Sequence, residues 1–307
     1  MGKASVGLPL ALVALIAVFS FTTEYFFTAD TLVAIANDIP ALLVMAVGMT
    51  LVLIVAGIDL SVGSVLALSA GVCAVAIDTL HWSIPAAALL GLACGIGCGA
   101  ITGLISVTWR LPTFIVSLGM LEIARGSAYL ITDSSTRYVG GVIGGLSAPL
   151  WLGISPAFML ALAIVAATHA VLRRSVFGRY LVGIGTNEEA MRLAGIDPRP
   201  FKVIVFALMG ALAALAGLMQ LSRLEAADPN AGVGMELQVI AAVVIGGTSL
   251  MGGRGSVFNT LLGVLIVAVL EAGLVQIGES DPTKRVITGC VIIVAVMLDM
   301  YRTRVRR

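Results

Sequence analysis

One carboxylate, Asp59, interrupts an otherwise uncharged apolar run of 37 residues from Ala41 to Ile77, and that run dictates what the chain can become. A helix crosses the hydrocarbon core in about 20 residues, so the run is too long for one crossing. It reads as two segments meeting at Gly57-Ile58-Asp59-Leu60-Ser61-Val62-Gly63. Near membrane depth a carboxylate is costly unless it faces protein, water or a paired donor. Gly57 and Gly63 allow an irregular backbone, tolerated there only where protein or a wet cavity covers it. Ser61 is placed to cap the following helix, with Asp59 just ahead of its positive end.

The rest of the chain has the same character. It is 59% hydrophobic and 11% charged, against about 25% charged residues in soluble domains. That balance argues against a water-soluble globule and for one polytopic, all-α membrane domain over residues 1–307. A net charge of +1 gives no reason to expect nucleic acid. Apolar segments fall at about 6–26, 41–57, 62–80, 84–108, 113–131, 155–172, 201–221, 236–253, 257–277 and 286–301. About ten transmembrane helices put both termini on one side. With a cytoplasmic N-terminus, 13 of the 18 basic residues collect at inner ends and loops, among them Lys3, Arg110, Arg173, Arg174, Arg192, Arg254, Arg302, Arg304, Arg306 and Arg307. Arg137, Arg223, Lys284 and Arg285 fall outside, and Arg125 lies within a segment. No small-residue cleavage site precedes Thr22-Thr23-Glu24, which favours a retained first helix.

The polar residues inside segments are few. Glu122 and Arg125 are three apart on one expected helix; they read either as a neutralised pair or as lining for a polar path. Glu271 and Gln276 offer another polar position, and Asp299 falls beside Arg302 at the inner interface. Cys73, Cys94, Cys98 and Cys290 lie in apolar segments without His or carboxylate neighbours in sequence, so they read as structural thiols rather than a metal site. His81 and His169 are isolated. The chain has no Gly-Lys-Ser/Thr phosphate loop, HExxH or Gly-x-Ser-x-Gly, so no cofactor and no catalytic residue are expected in it. If ATP drives this protein, another polypeptide binds the nucleotide.

Four further stretches carry structural signals. Gly91, Gly95, Gly99 and Gly103 line one helix face and invite a second backbone, from this chain or from another copy. In the inner loop 173–200, Thr186 or Asn187 can cap a short helix with Glu188 and Glu189 in its first turn, ended by Gly195 and Asp197-Pro198. Ala190, Leu193 and Ala194 share a face of it. So short a helix needs something to pack on, either its own membrane domain or a cleft in a cytoplasmic subunit. The outer stretch 132–154 reads equally as a connector and as a surface for an extracytoplasmic partner. Finally, Gly246-Gly247-Thr248-Ser249-Leu250-Met251 with Gly255-Ser256-Val257 echoes the region of Asp59, and the pair suits a parallel internal repeat.

GMTLVLIVAGIDLSVGSVLALSAG at 48–71, LPTFIVSLGMLEIARGSAYLIT at 111–132, GRYLVGIGTNEEAMRLAGI at 178–196 and AAVVIGGTSLMGGRGSVFNTLLGVL at 241–265 together resemble the membrane permeases of bacterial ABC importers for ribose, xylose, galactose and similar monosaccharides. The resemblance implies a multi-pass protein of the bacterial inner membrane, both termini cytoplasmic, paired with a second permease copy or a paralogue. It further implies an ABC ATPase subunit beneath, holding ATP and Mg, and a periplasmic or extracellular sugar-binding protein outside. By the same resemblance Asn187, Glu188, Glu189, Ala190, Leu193 and Gly195 form the element that couples to the ATPase. Gly57, Asp59, Ser61 and Gly63 then lie close to the translocation path, with Glu122 and Arg125 as further candidates. A permease for a polyol, a furanone signal or a branched-chain amino acid is the neighbouring reading, and an ion-coupled secondary carrier the more distant one.

Overall fold

The computed structural model describes residues 4–280, 282–284, 286–291, 293, 294 and 297. Part of the expected segment 286–301, and Lys3, Arg285, Asp299, Arg302, Arg304, Arg306 and Arg307 altogether, lie outside these residues. The helices are α1 (Ala4–Thr22), α2 (Ala29–Asp38), α3 (Pro40–Ile54), α4 (Val62–Asp78), α5 (Ile84–Trp109), α6 (Thr113–Ile131), α7 (Pro156–Arg174), α8 (Val176–Thr186), α9 (Glu188–Leu193), α10 (Pro198–Leu224), α11 (Met235–Ile245) and α12 (Val257–Ile277). Two short strands, β1 (Arg137–Tyr138) and β2 (Ala226–Ala227), pair antiparallel at one end of the bundle. By length and composition α5, α6, α7, α10 and α12 could each cross a membrane; α2 and α3, bent by 50° at Ile39, make a sixth span if taken together.

A helix apolar on every face has to be enclosed, and α3 is. All its residues but Ala41 are buried, among α7, α10, α11 and α12. Its hydroxyl at Thr50 is satisfied by the carbonyl of Ala46 at 2.8 Å and by Thr260 of α12 at 2.7 Å. The glycine ladder meets α10 of the same chain. A Cβ on Gly95 would come within 2.5 Å of the Gly210 carbonyl oxygen, and one on Gly99 would overlap that of Phe206. Gly217 of α10 lies in the same way against Leu66 of α4. α10 is therefore the post against which α4 and α5 pack by backbone approach, the device membrane helices use where burial from water supplies no drive.

Two expectations change here. The segment read as a span over 236–253 holds only the 11 residues of α11, about 16 Å of helix, before the chain turns at Gly246-Gly247. The stretch read as an inner loop over 173–200 contains a second helix, α8, ahead of the expected one. Ser175 ends α7 and caps α8, its hydroxyl accepting from the Gly178 amide at 3.1 Å. Serine in this role satisfies the free amides of a helix start.

Candidate functional site

The chain between α3 and α4 is an extended stretch inside the bundle. Gly57 lies against the Phe206 ring, whereas Leu66 lies against Gly217. Those α10 positions are 11 residues apart, about 16 Å along the axis. One turn of α4 covers part of that distance, and the non-helical residues Ile58–Leu60 lie in the rest.

Backbone at such depth needs partners, and α6 provides them. The Ile58 amide donates to Thr113 Oγ1 at 3.0 Å, and the Leu60 amide to Ser117 Oγ at 3.1 Å. Asp59, 2% exposed, is satisfied locally. Its Oδ1 accepts from the Ser61 amide at 2.9 Å and the Ser61 hydroxyl at 2.6 Å. This corrects the expected role of Ser61: it stands at the N-cap position of α4, but its hydroxyl is turned back to Asp59 and caps no amide. The backbone is irregular there, as expected of Gly57 and Gly63, though neither has a positive φ; the left-handed residue of the turn is Ala56, at φ 57°. What the two glycines provide is room, for the Phe206 ring and for the Gly232 carbonyl respectively.

Gly232 belongs to a second irregular stretch, 228–234, which leads into α11. Gly232 and Gly234 take positive φ, 73° and 86°. Arg125 holds this stretch, donating to the carbonyls of Pro229 at 2.5 Å and Ala231 at 2.8 Å. Tyr129, one turn on, donates to the Asn230 side chain. Glu122 and Arg125 share a helix as the sequence implies, but no hydrogen bond or ion pair joins them among the described residues; Glu122 is exposed. The buried α3–α4 connection and the irregular stretch 228–234 thus meet at Gly63 and Gly232, both buried, beside α6.

At the α9 end of the bundle three chain segments converge. The Gly253 amide donates to the Ile54 carbonyl at 2.9 Å. A Cβ on Gly185, at the end of α8, would overlap that same carbonyl oxygen. Gly252, φ 84°, sits 2.7 Å (as a built Cβ) from both Ala56 Cβ and the Gly185 carbonyl oxygen. The turn echoing the Asp59 region, the end of α3 and the end of α8 are therefore one close-packed junction.

α9 follows directly. Asn187, not Thr186, caps it, its side chain accepting from the Ala190 amide at 3.0 Å; Thr186 instead donates to Val182. Glu188 pairs with Arg192 at 3.3 Å and with Lys202 of α10 at 2.5 Å, while Glu189 reaches Arg192 only at 3.9 Å. Gly195 leaves the helix with φ 83°. None of α9 is buried, and Leu193 is 82% exposed. Leu193 thus stands free on a braced surface helix, open to contact from outside the chain.

A family model described as branched-chain amino acid transport system / permease component matches residues 31–296. The chain belongs to this permease family. It is a transport subunit of ABC importers, not an enzyme, and thus a protein of the inner membrane. The permease is 40% identical over 297 residues to the ribose import permease protein of Escherichia coli K12, covering 94% of this chain and 92% of that one. It is 33% identical over 315 residues to a fructose import permease protein of Rhizobium meliloti (98% and 86% covered). An autoinducer 2 import system permease protein of Photorhabdus luminescens is 32% identical over 295 residues (94% and 88%). No solved structure matches.

Sequence reading missed Thr113 and Ser117, the donors' partners for the buried stretch. A signal was present: Thr113, Ser117, Arg125 and Tyr129 stand at multiples of four, a spacing that lines polar groups up along one side of a helix.

Proposed function

We propose that this permease moves a monosaccharide into the cytoplasm, receiving it from an extracytoplasmic binding protein and driven by ATPase subunits that bind ATP and magnesium on partner chains. The observation that carries the substrate class is the near-complete coverage, 94% of this chain, by relatives named for ribose import. The exposed α9, braced by Glu188 to α10, supports the coupling assignment of Asn187, Glu188, Glu189, Ala190, Leu193 and Gly195. On this reading the α9 end is cytoplasmic and β1–β2 outside. The chain forms one domain of about ten crossings, some by partial helices such as α11, with α3–α4 and α11–α12 as the two arms of a parallel repeat. A second permease copy completes the path.

Movement of the ATPases would reach α9, pass through Gly185 to Ile54 and Gly253, and from there to the two irregular stretches at Gly57–Gly63 and 228–234. Close-packed elements of this kind shift between discrete arrangements rather than deform smoothly. The interactions at Asp59, Ser61 and Arg125 fix those stretches and keep their polar groups satisfied within the path. Glu122, exposed and outside the Arg125 contacts, gives no buried proton relay of the sort an ion-coupled carrier uses, and Glu271 is held by the Gln238 amide.

The test is gentle purification from native membranes, followed by uptake of labelled ribose, arabinose, fructose and a furanone signal into vesicles. Uptake of a sugar that requires a co-purifying ATPase, ATP and a binding protein is the expected result. Preference for the furanone would favour the alternative that the autoinducer 2 relative supports. A chain that purifies alone and carries solute on a proton gradient would overturn the reading.

A further inference from the structure

At the end of the bundle away from α9, α2, the last turn of α10, the first half of α11, the later half of α12 and, beyond it, Lys284, Thr288 and Gly289 enclose an open cavity of about 1040 Å³. That it lies opposite α9 follows from α10, whose Lys202 pairs with α9 and whose Arg223, at the other end, pairs with Asp38 beside the cavity. Small-molecule sites run to about 300–1,000 Å³. A narrower pocket of about 130 Å³ adjoins it and shares Asp38, Arg223, Gln238 and Glu271 with it. Gln220 lines this inner pocket, its side-chain oxygen buried and without a hydrogen-bond partner.

The lining alternates donors and acceptors. Gln238 donates to Glu271 at 2.7 Å, Gln276 to Thr31 at 3.0 Å, and Arg223 to Asp38. Each pair keeps spare capacity: a carboxylate accepts several bonds, an amide both donates and accepts, and a guanidinium has five N–H groups. A sugar hydroxyl is itself donor and acceptor, so a ring of hydroxyls can bridge such pairs, whereas a lipid chain satisfies none of them. Ile35, Ala268 and Val275 lie between, suited to C–H faces. No aromatic residue lines the cavity among the described residues, so the firm stacking of a tight sugar site is missing. Loose, exchangeable hydrogen bonding is what a passage requires.

We propose that this cavity is a monosaccharide subsite on the entry side of the path, with Gln238 and Glu271, which belong to both compartments, contacting hydroxyls as the sugar passes inward. The proposal rests on the import reading above. It is tested with the complete transporter in vesicles, measuring labelled sugar delivered per ATP hydrolysed. Gln238→Leu and Glu271→Leu are expected to lower that ratio about tenfold, the effect of losing one hydrogen bond to a hydroxyl. Glu271→Gln, which keeps an acceptor, should recover most of it, and Leu130→Ala on the far face of α6 should leave it unchanged. Ratios equal to wild type in both leucine variants would overturn the subsite while leaving the import reading intact. A wild-type transporter that moves no sugar would overturn both.

Should a leucine variant fail to assemble, accessibility decides. With the native cysteines replaced by serine, Ala272→Cys should react with a membrane-impermeant thiosulfonate, and more slowly when loaded sugar-binding protein is present. No reaction, as expected if lipid or a second copy fills the cavity, or a rate indifferent to sugar, would also overturn the proposal.

Discussion

The amide of Gly253 donates to the carbonyl of Ile54 at 2.9 Å, so the turn after α11 is bonded to the last residue of α3. That carbonyl is also where Gly185 makes its closest approach. Backbone, not side chain, forms all three surfaces, which leaves nothing flexible to give way.

Gly185→Ala is therefore expected to push α8 off the junction. Overpacking of this kind costs about 1–3 kcal/mol. The transporter should assemble, lose thermal stability in detergent by several degrees, and hydrolyse ATP with little sugar delivered. Uptake and ATP hydrolysis measured side by side check this; a variant matching wild type in both would remove the junction from the coupling route.

Asp59 is predicted to matter through its shape as an acceptor. Asp59→Ala leaves a buried amide and hydroxyl at Ser61 without their partner, a loss of about 1–3 kcal/mol for each unsatisfied group. Asp59→Asn keeps Oδ1 in place. Heating followed by size-exclusion chromatography should rank wild type, Asn, then Ala, and uptake should follow the same order. If Asn were as damaging as Ala, the carboxylate would have a role beyond holding the turn.

Leu193 and Glu188 separate docking from folding. Leu193 is 82% exposed, and surface substitutions away from special features change stability by only about 0.5 kcal/mol. Leu193→Asp should insert and purify normally yet lose at least about tenfold in ATP-driven uptake, the effect of about 1.4 kcal/mol at a partner surface. Glu188→Lys additionally opposes Arg192 and Lys202, so it should detach α9 from α10 and stop uptake. Normal uptake by both variants would sink the coupling assignment.

Much of this was legible in the sequence where local rules apply. Asn187 as one of two candidate caps, Gly195 as the exit from α9, and the close approach along Gly91–Gly103 all follow from chemistry within a few residues. What the sequence leaves open is which partner arrives from far along the chain. Arg125 reads as a mate for Glu122 three residues away, but its carbonyl partners are 104 and 106 residues away. The length of α11 is the second case. Hydropathy sees an apolar run over 236–253, but the helix stops at Ile245, where Gly246 packs against Asn259 and Thr260 of α12 and Gly247 takes φ 82°.

The glycine face of α5 supplies a test internal to one helix. A Cβ on Gly97 meets nothing within 4 Å, whereas one on Gly99 would overlap the Phe206 carbonyl oxygen and come within 3.0 Å of the Gly210 amide nitrogen. Gly97→Ala should therefore be neutral or stabilising, by up to about 1 kcal/mol, since alanine restricts the unfolded chain and suits a helix. Gly99→Ala should push α5 and α10 apart and destabilise by about 1–3 kcal/mol. Midpoints of thermal unfolding in the same detergent, read on the two variants side by side, should move in opposite directions or leave Gly97→Ala unmoved. Equal losses would mean that a second copy, rather than open bilayer, lies against the Gly97 face. Equal indifference would mean that α5 and α10 are not packed backbone to backbone at Gly99.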